Sequence, residues 1–120
     1  MPSRQQHLAN AERNQRLAIA LQSGPHIEWS VTVLFYAALH LVEATLAPAV
    51  HSPHHNARNQ TVQSDPRFHP IYLHYRELYY RSLDARYDCV VFSTVQAQHL
   101  SVTRYEPIKR HLQPLLRFTF

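Results

Sequence analysis

Residues 31–46 read VTVLFYAALHLVEATL. Apolar side chains fall at Val31, Leu34, Phe35, Ala38, Leu39 and Val42, the three- and four-residue steps of a helix. The opening Val31-Thr32-Val33 is β-branched and favours a strand locally, but the run is too long for one, and its alanine- and leucine-rich continuation is a strong helix former. Ile27 extends the pattern upstream and Pro48 closes it, so a helix is expected over about 26–46. A helix apolar on nearly all sides belongs in the middle of a bundle. Tyr36, His40 and Glu43 interrupt the apolar surface, and the run 31–46 is shorter than a bilayer span, so no membrane segment is expected.

Outward from this helix, Ala11, Ala18 and Leu21 keep helical spacing, with Leu17 beside them, over about 4–22. Ser23-Gly24-Pro25 then forms a turn. Beyond Pro48, residues 51–63 read as a loop entering a short helix, with Ser52-Pro53 as cap and first turn. Asp65-Pro66 repeats that signal and opens a helix over about 67–85, with Ile71, Tyr75, Leu78 and Ser82 on its inner face. Residues 86–92 read as a partly extended connector. Ser93 caps a last helix over about 94–116, in which Pro107 removes a backbone donor and predicts a kink. The expected fold is all-α, a four- to five-helix up-and-down bundle with residues 1–120 as one domain.

The bulk composition agrees. A chain of 120 residues has room for one core, and a single glycine disfavours hairpin-rich β folds. The lone Cys89 excludes an internal disulfide and a cysteine-rich zinc site. Residues 1–10 are polar and carry no signal-peptide core, so a cytoplasmic protein is expected. The net charge is +4, and Lys109 is the one lysine among twelve basic residues. Arginine suits phosphate recognition, and the same bias also follows from G- and C-rich coding.

Three groups of side chains are candidates for function. Tyr36, His40 and Glu43 share one face of the central helix, either as a buried polar network or as the edge of a site with His40 or Glu43 moving protons or holding a metal. His51, His54, His55 and Arg58 follow, with His55 and Arg58 on one helical face. The group reads either as a solvated loop with Arg58 paired to Glu43 or Asp84, or with its histidines as ligands joining His40 and Glu43 in a metal site. Third, Arg76, Arg81, Arg86 and Tyr87 mix with Tyr72 and Tyr80 in a pattern that suits base stacking and phosphate contact. Tyr75 and Tyr79 fall near the apolar stripe and are assigned to the core.

With these residues in view, the chain resembles the HEPN superfamily over most of its length. Phe35 to Ala44 resembles the family's second-helix pattern, His55 with Arg58 the start of its short third helix, and Ala85-Arg86-Tyr87 the "RY" element before the last helix. The resemblance implies a bundle that commonly dimerises and an RNA-directed role in a toxin–antitoxin or defence system. Catalytic members are metal-independent endoribonucleases that carry an Arg, a short spacer and a His; Arg67 with His74 and Arg104 with His111 match formally. In that chemistry the RNA 2′-OH attacks its own phosphate, histidine serves as acid or base, and arginine stabilises the phosphorane. The candidates are His111 with Arg104, or His40 with Arg86, and no cofactor is implied. Members of the "RY" type without the motif bind nucleotides, RNA or a partner protein. The implied partners are therefore RNA, a second copy of the chain, or a cognate protein.

Overall fold

In a computed structural model describing residues 1–120, the chain is all-helical and has no strand. Helix α1 spans Arg4–Leu21. Ser3 caps it in a reciprocal box: its hydroxyl accepts from the Gln6 N–H, and the Gln6 side chain accepts from the Ser3 N–H. Helix α2, Ile27–Leu46, follows the Gly24-Pro25 turn and buries Val31, Leu34, Phe35, Ala37, Ala38, Leu41 and Val42. It packs against α1 along its length and against α4 on another side. Extended upstream of Val31 to 20 residues, it has the length and composition to cross a bilayer, but 78% of its most apolar 18-residue window is buried within the bundle, where it is the core.

Arg4 ties the two ends of this pair together. Its guanidinium donates to the carbonyls of Ala44 (3.1 Å) and Ala47 (3.2 Å), the open acceptors at the end of α2. At the other end, the buried Ser30 hydroxyl donates to the Ala18 carbonyl at 2.7 Å.

Helix α3 runs His55–Ser64. Its cap is His54, whose Nδ1 accepts from the Ala57 N–H, and not Ser52, which is buried without a hydrogen-bond partner. Asp65-Pro66 does start the next element, with the Asp65 carboxylate accepting from the Arg67 N–H. Its first turns, Pro66–Ile71, are 3₁₀, with Pro70 inside them. Helix α4 then spans Tyr72–Tyr87 and buries Tyr75, Leu78 and Ser82, as the periodicity predicts. Arg86 and Tyr87 are its last turn, not an extended connector; the link to the next helix begins at Asp88.

Ser93 caps α5, Thr94–Leu100, in a second reciprocal box with Gln96. A π-helical segment, Ser101–Tyr105, leads directly into α6, Glu106–Leu116. Within it the Glu106 N–H bonds to the Ser101 carbonyl, five residues back. The proline expected to disturb this helix, Pro107, sits immediately after the bulge, in the first turn of α6. Buried positions therefore step from Leu100 by five to Tyr105, then to Ile108, Leu112 and Leu116. Tyr105 reaches across to α1, its hydroxyl donating to Gln15 Oε1 at 2.8 Å. The radius of gyration, 13.5 Å, matches the roughly 13.6 Å expected for a single domain of this length.

Candidate functional site

The polar face of α2 is a buried network. Glu43 is 1% exposed, and its Oε1 accepts from Arg58 Nε at 2.6 Å. Of the two partners open in sequence, Arg58 takes Glu43, and it is buried, not part of a solvated loop. The Arg58 guanidinium also donates to His55 Nδ1 at 3.2 Å. The ring of His55 packs among Phe35, Tyr36 and Tyr79. Burial, and then the cations of Arg58 and Arg86, lower the His55 pKa, so the ring is neutral and its Nδ1 can accept.

Arg86 sits on the other side of Tyr36. It donates to the Tyr36 hydroxyl at 3.0 Å and to the Ser82 hydroxyl at 3.1 Å, and its guanidinium lies 5.6 Å from the Tyr36 ring centroid. Its position in the last turn of α4 places the cation at the negative end of the helix dipole. Arg86 also lies 5.1 Å from the Tyr87 ring. Glu28, Trp29, Thr32, Ala85, Arg86 and Tyr87 together line a cleft of about 250 Å³. Trp29 and Tyr87 present 53% and 69% of their surface to solvent, which leaves two aromatic faces free beside a cation. Trp29 did not stand out in the sequence, although it is the only tryptophan.

His40 does not join Arg86. Its Nδ1 lies 3.1 Å from His7 Nδ1, and one of the two rings donates to the other. Burial first, and then the charges of His7 and Arg58, lower the His40 pKa to about 4. His7 is a second residue that the sequence reading passed over. Its four-residue step to Ala11 on the buried stripe of α1 was the available signal.

Arg104 and His111 are likewise not partners of each other. Arg104 bonds His74 Nδ1 at 3.3 Å, and His111 Nε2 donates to the Arg67 carbonyl at 2.7 Å. The two formal Arg/His matches thus lie side by side, His74 on the Arg104 guanidinium and His111 on the Arg67 backbone, while the Arg67 guanidinium is held by Asp65; the contacts tie α4 and its 3₁₀ start to the last helix. Arg81 is neutralised by Glu77 and Asp84. Arg76 is exposed and lies 5.5 Å from the ring of Tyr80. Tyr75 is buried and Tyr79 packs against the core, as assigned from the sequence. Of the metal readings, His54 is used as a cap and His55 by Arg58, whereas Glu43, His51 and His7 do converge.

Stability should follow the histidines. His7, His40, His55 and His74 all have folded pKa values below the unfolded value of 6.5. The unfolded chain therefore binds more protons as pH falls. Their contribution is complete above pH 6.5 and declines as pH drops toward about 4, the value for His40. Urea midpoints measured at pH 7 and pH 5 should show lower stability at pH 5, with a smaller drop in His74→Gln. A midpoint that is flat or higher at pH 5 would contradict this.

No family model, curated protein or solved structure matches this chain.

Proposed function

We propose that this chain is an RNA-directed protein of the HEPN type, belonging to a toxin–antitoxin or defence system, and that it holds single-stranded RNA at the cleft between the start of α2 and the end of α4. The observation that supports this reading is the grouping of Arg86 with the exposed rings of Trp29 and Tyr87. A cation offers phosphate contact, and flanking aromatic faces stack unpaired bases regardless of their identity. The net charge of +4 adds general attraction to the backbone.

Catalysis in such a protein needs a histidine and an arginine at one phosphodiester. In this chain Arg104 and His111 bond to different neighbours; the resemblance implies that in a cleavage site built on them a second copy would supply the opposing groups. RNA cleavage in EDTA that is lost in His111→Ala would extend the reading to an endoribonuclease. Binding without cleavage would keep it to a non-catalytic RNA module.

Fluorescence anisotropy with a labelled single-stranded RNA tests the binding itself. Arg86→Gln should weaken affinity and reduce the slope of log K against log salt by about 0.7, one phosphate contact on a single strand. Wild-type protein that fails to bind at low salt, or an Arg86→Gln variant with unchanged affinity and slope, would defeat the proposal. The reading left would then be a partner-binding module, with the exposed Val90, Val91 and Val95 as its apolar surface.

A further inference from the structure

Three side chains from separate parts of the chain meet where α1 passes the end of α2. His7 comes from α1, Glu43 from the last turn of α2, and His51 from the loop before α3. Their ligand atoms all lie within 4.8 Å of one another. His7 and Glu43 are 4% and 1% exposed, while His51 is exposed and leaves the group open to solvent on one side.

Glu43 carries the second observation. Arg58 holds Oε1, but Oε2 is buried and has no hydrogen-bond partner. A carboxylate oxygen without a partner in the interior is costly, and more so when charged. Arg58 fixes the orientation of the carboxylate and leaves its other oxygen free, while His40 holds the ring of His7 through one nitrogen. Both contacts are of the kind that orient ligands around a metal from the next layer out.

We propose that His7, Glu43 and His51 bind one divalent cation of the zinc class, clamping α1 and the loop before α3 onto the end of α2. Two imidazoles and a carboxylate are a zinc donor set that leaves a fourth position open to water. The nitrogen donors disfavour magnesium and calcium. Zinc bonds of about 2.0–2.2 Å at tetrahedral angles place ligand atoms about 3.3 Å apart. Rotation of the exposed His51 side chain is the simplest way to close the remaining distance. The site is separate from the cleft at Arg86 and does not depend on the RNA reading.

The test is titration of cobalt(II), a coloured substitute for zinc, into the full chain after stripping with EDTA. The expected result is saturable binding of one ion per chain, with the visible bands of a tetrahedral field, displaced by zinc. His51→Ala lies on an exposed loop and should fold normally; it should weaken cobalt binding at least about 10-fold. His7→Gln should do the same, whereas His54→Ala and His111→Ala should leave binding unchanged. Absence of saturable bands would overturn the proposal. So would full-affinity binding in His51→Ala, which would place the ion on other histidines. If His7→Gln does not fold, His51→Ala alone decides.

Discussion

Arg58→Ala is expected to cost about 3–5 kcal/mol of folding stability, because it leaves the Glu43 carboxylate charged, buried and without its main partner. The geometry is far from that of a surface ion pair. Glu43 is 1% exposed, its side chain meets Arg58 at 2.6 Å, and the Arg58 side chain is itself 9% exposed. An exposed pair would contribute about 0–1 kcal/mol. The pair also joins α2 to α3, and through His55 it reaches the aromatic cluster of Phe35, Tyr36 and Tyr79. Denaturant unfolding in EDTA keeps adventitious metal out of the comparison. The midpoint should fall sharply at an unchanged m value, and Glu43→Gln combined with Arg58→Ala should be less damaging than Arg58→Ala alone, since the unpaired charge is gone. A loss below about 1 kcal/mol for Arg58→Ala would show that water reaches the carboxylate and that the pair behaves as a solvated one.

The second large effect belongs to the cleft. Removing both aromatic faces, as Trp29→Ala with Tyr87→Ala, should reduce affinity for single-stranded RNA by about 30-fold or more, because each stacked base contributes about 1–3 kcal/mol. Both side chains are more than half exposed, so folding should survive and the loss should be one of binding. The salt slope should change little, which separates this pair from Arg86, for which the proposed contact is with phosphate. Anisotropy across a salt series distinguishes the two. Affinity within a factor of two of wild type would mean that the rings do not stack on bases, and the cleft would lose its role.

What could be read along the chain was whatever one helix decides for itself. The period of residues 31–46 placed the core helix, the Ser93 and Asp65 caps were visible as residue types, and the inner face of α4 followed from Tyr75, Leu78 and Ser82, with Ile71 buried in the 3₁₀ turn just before it. Spacing also put Tyr36, His40 and Glu43 on one face. What spacing does not carry is which side chain arrives from across the interface. His7 reaches His40 from a helix 33 residues away in sequence, and Arg104 reaches His74 across 30. Arg104 with His111, and His40 with Arg86, therefore looked like pairs and are bonded to other residues. Ser52 failed as a cap for a related reason: a good cap residue is effective only where the chain direction puts it at the helix start, and that position belongs to His54.

The five-residue step between Leu100 and Tyr105 has a consequence for the length of the chain. A π turn holds one residue more than the α turn it replaces, so Ser101–Tyr105 contains a residue the core does not need. Elsewhere in a helix, deleting one residue rotates everything after it by about 100° and turns its apolar stripe to water. Here, losing the exposed Val102 would let the segment relax to ordinary α geometry, with Ile108, Leu112 and Leu116 still facing inward. The last helix thus has a built-in tolerance to a single-residue deletion.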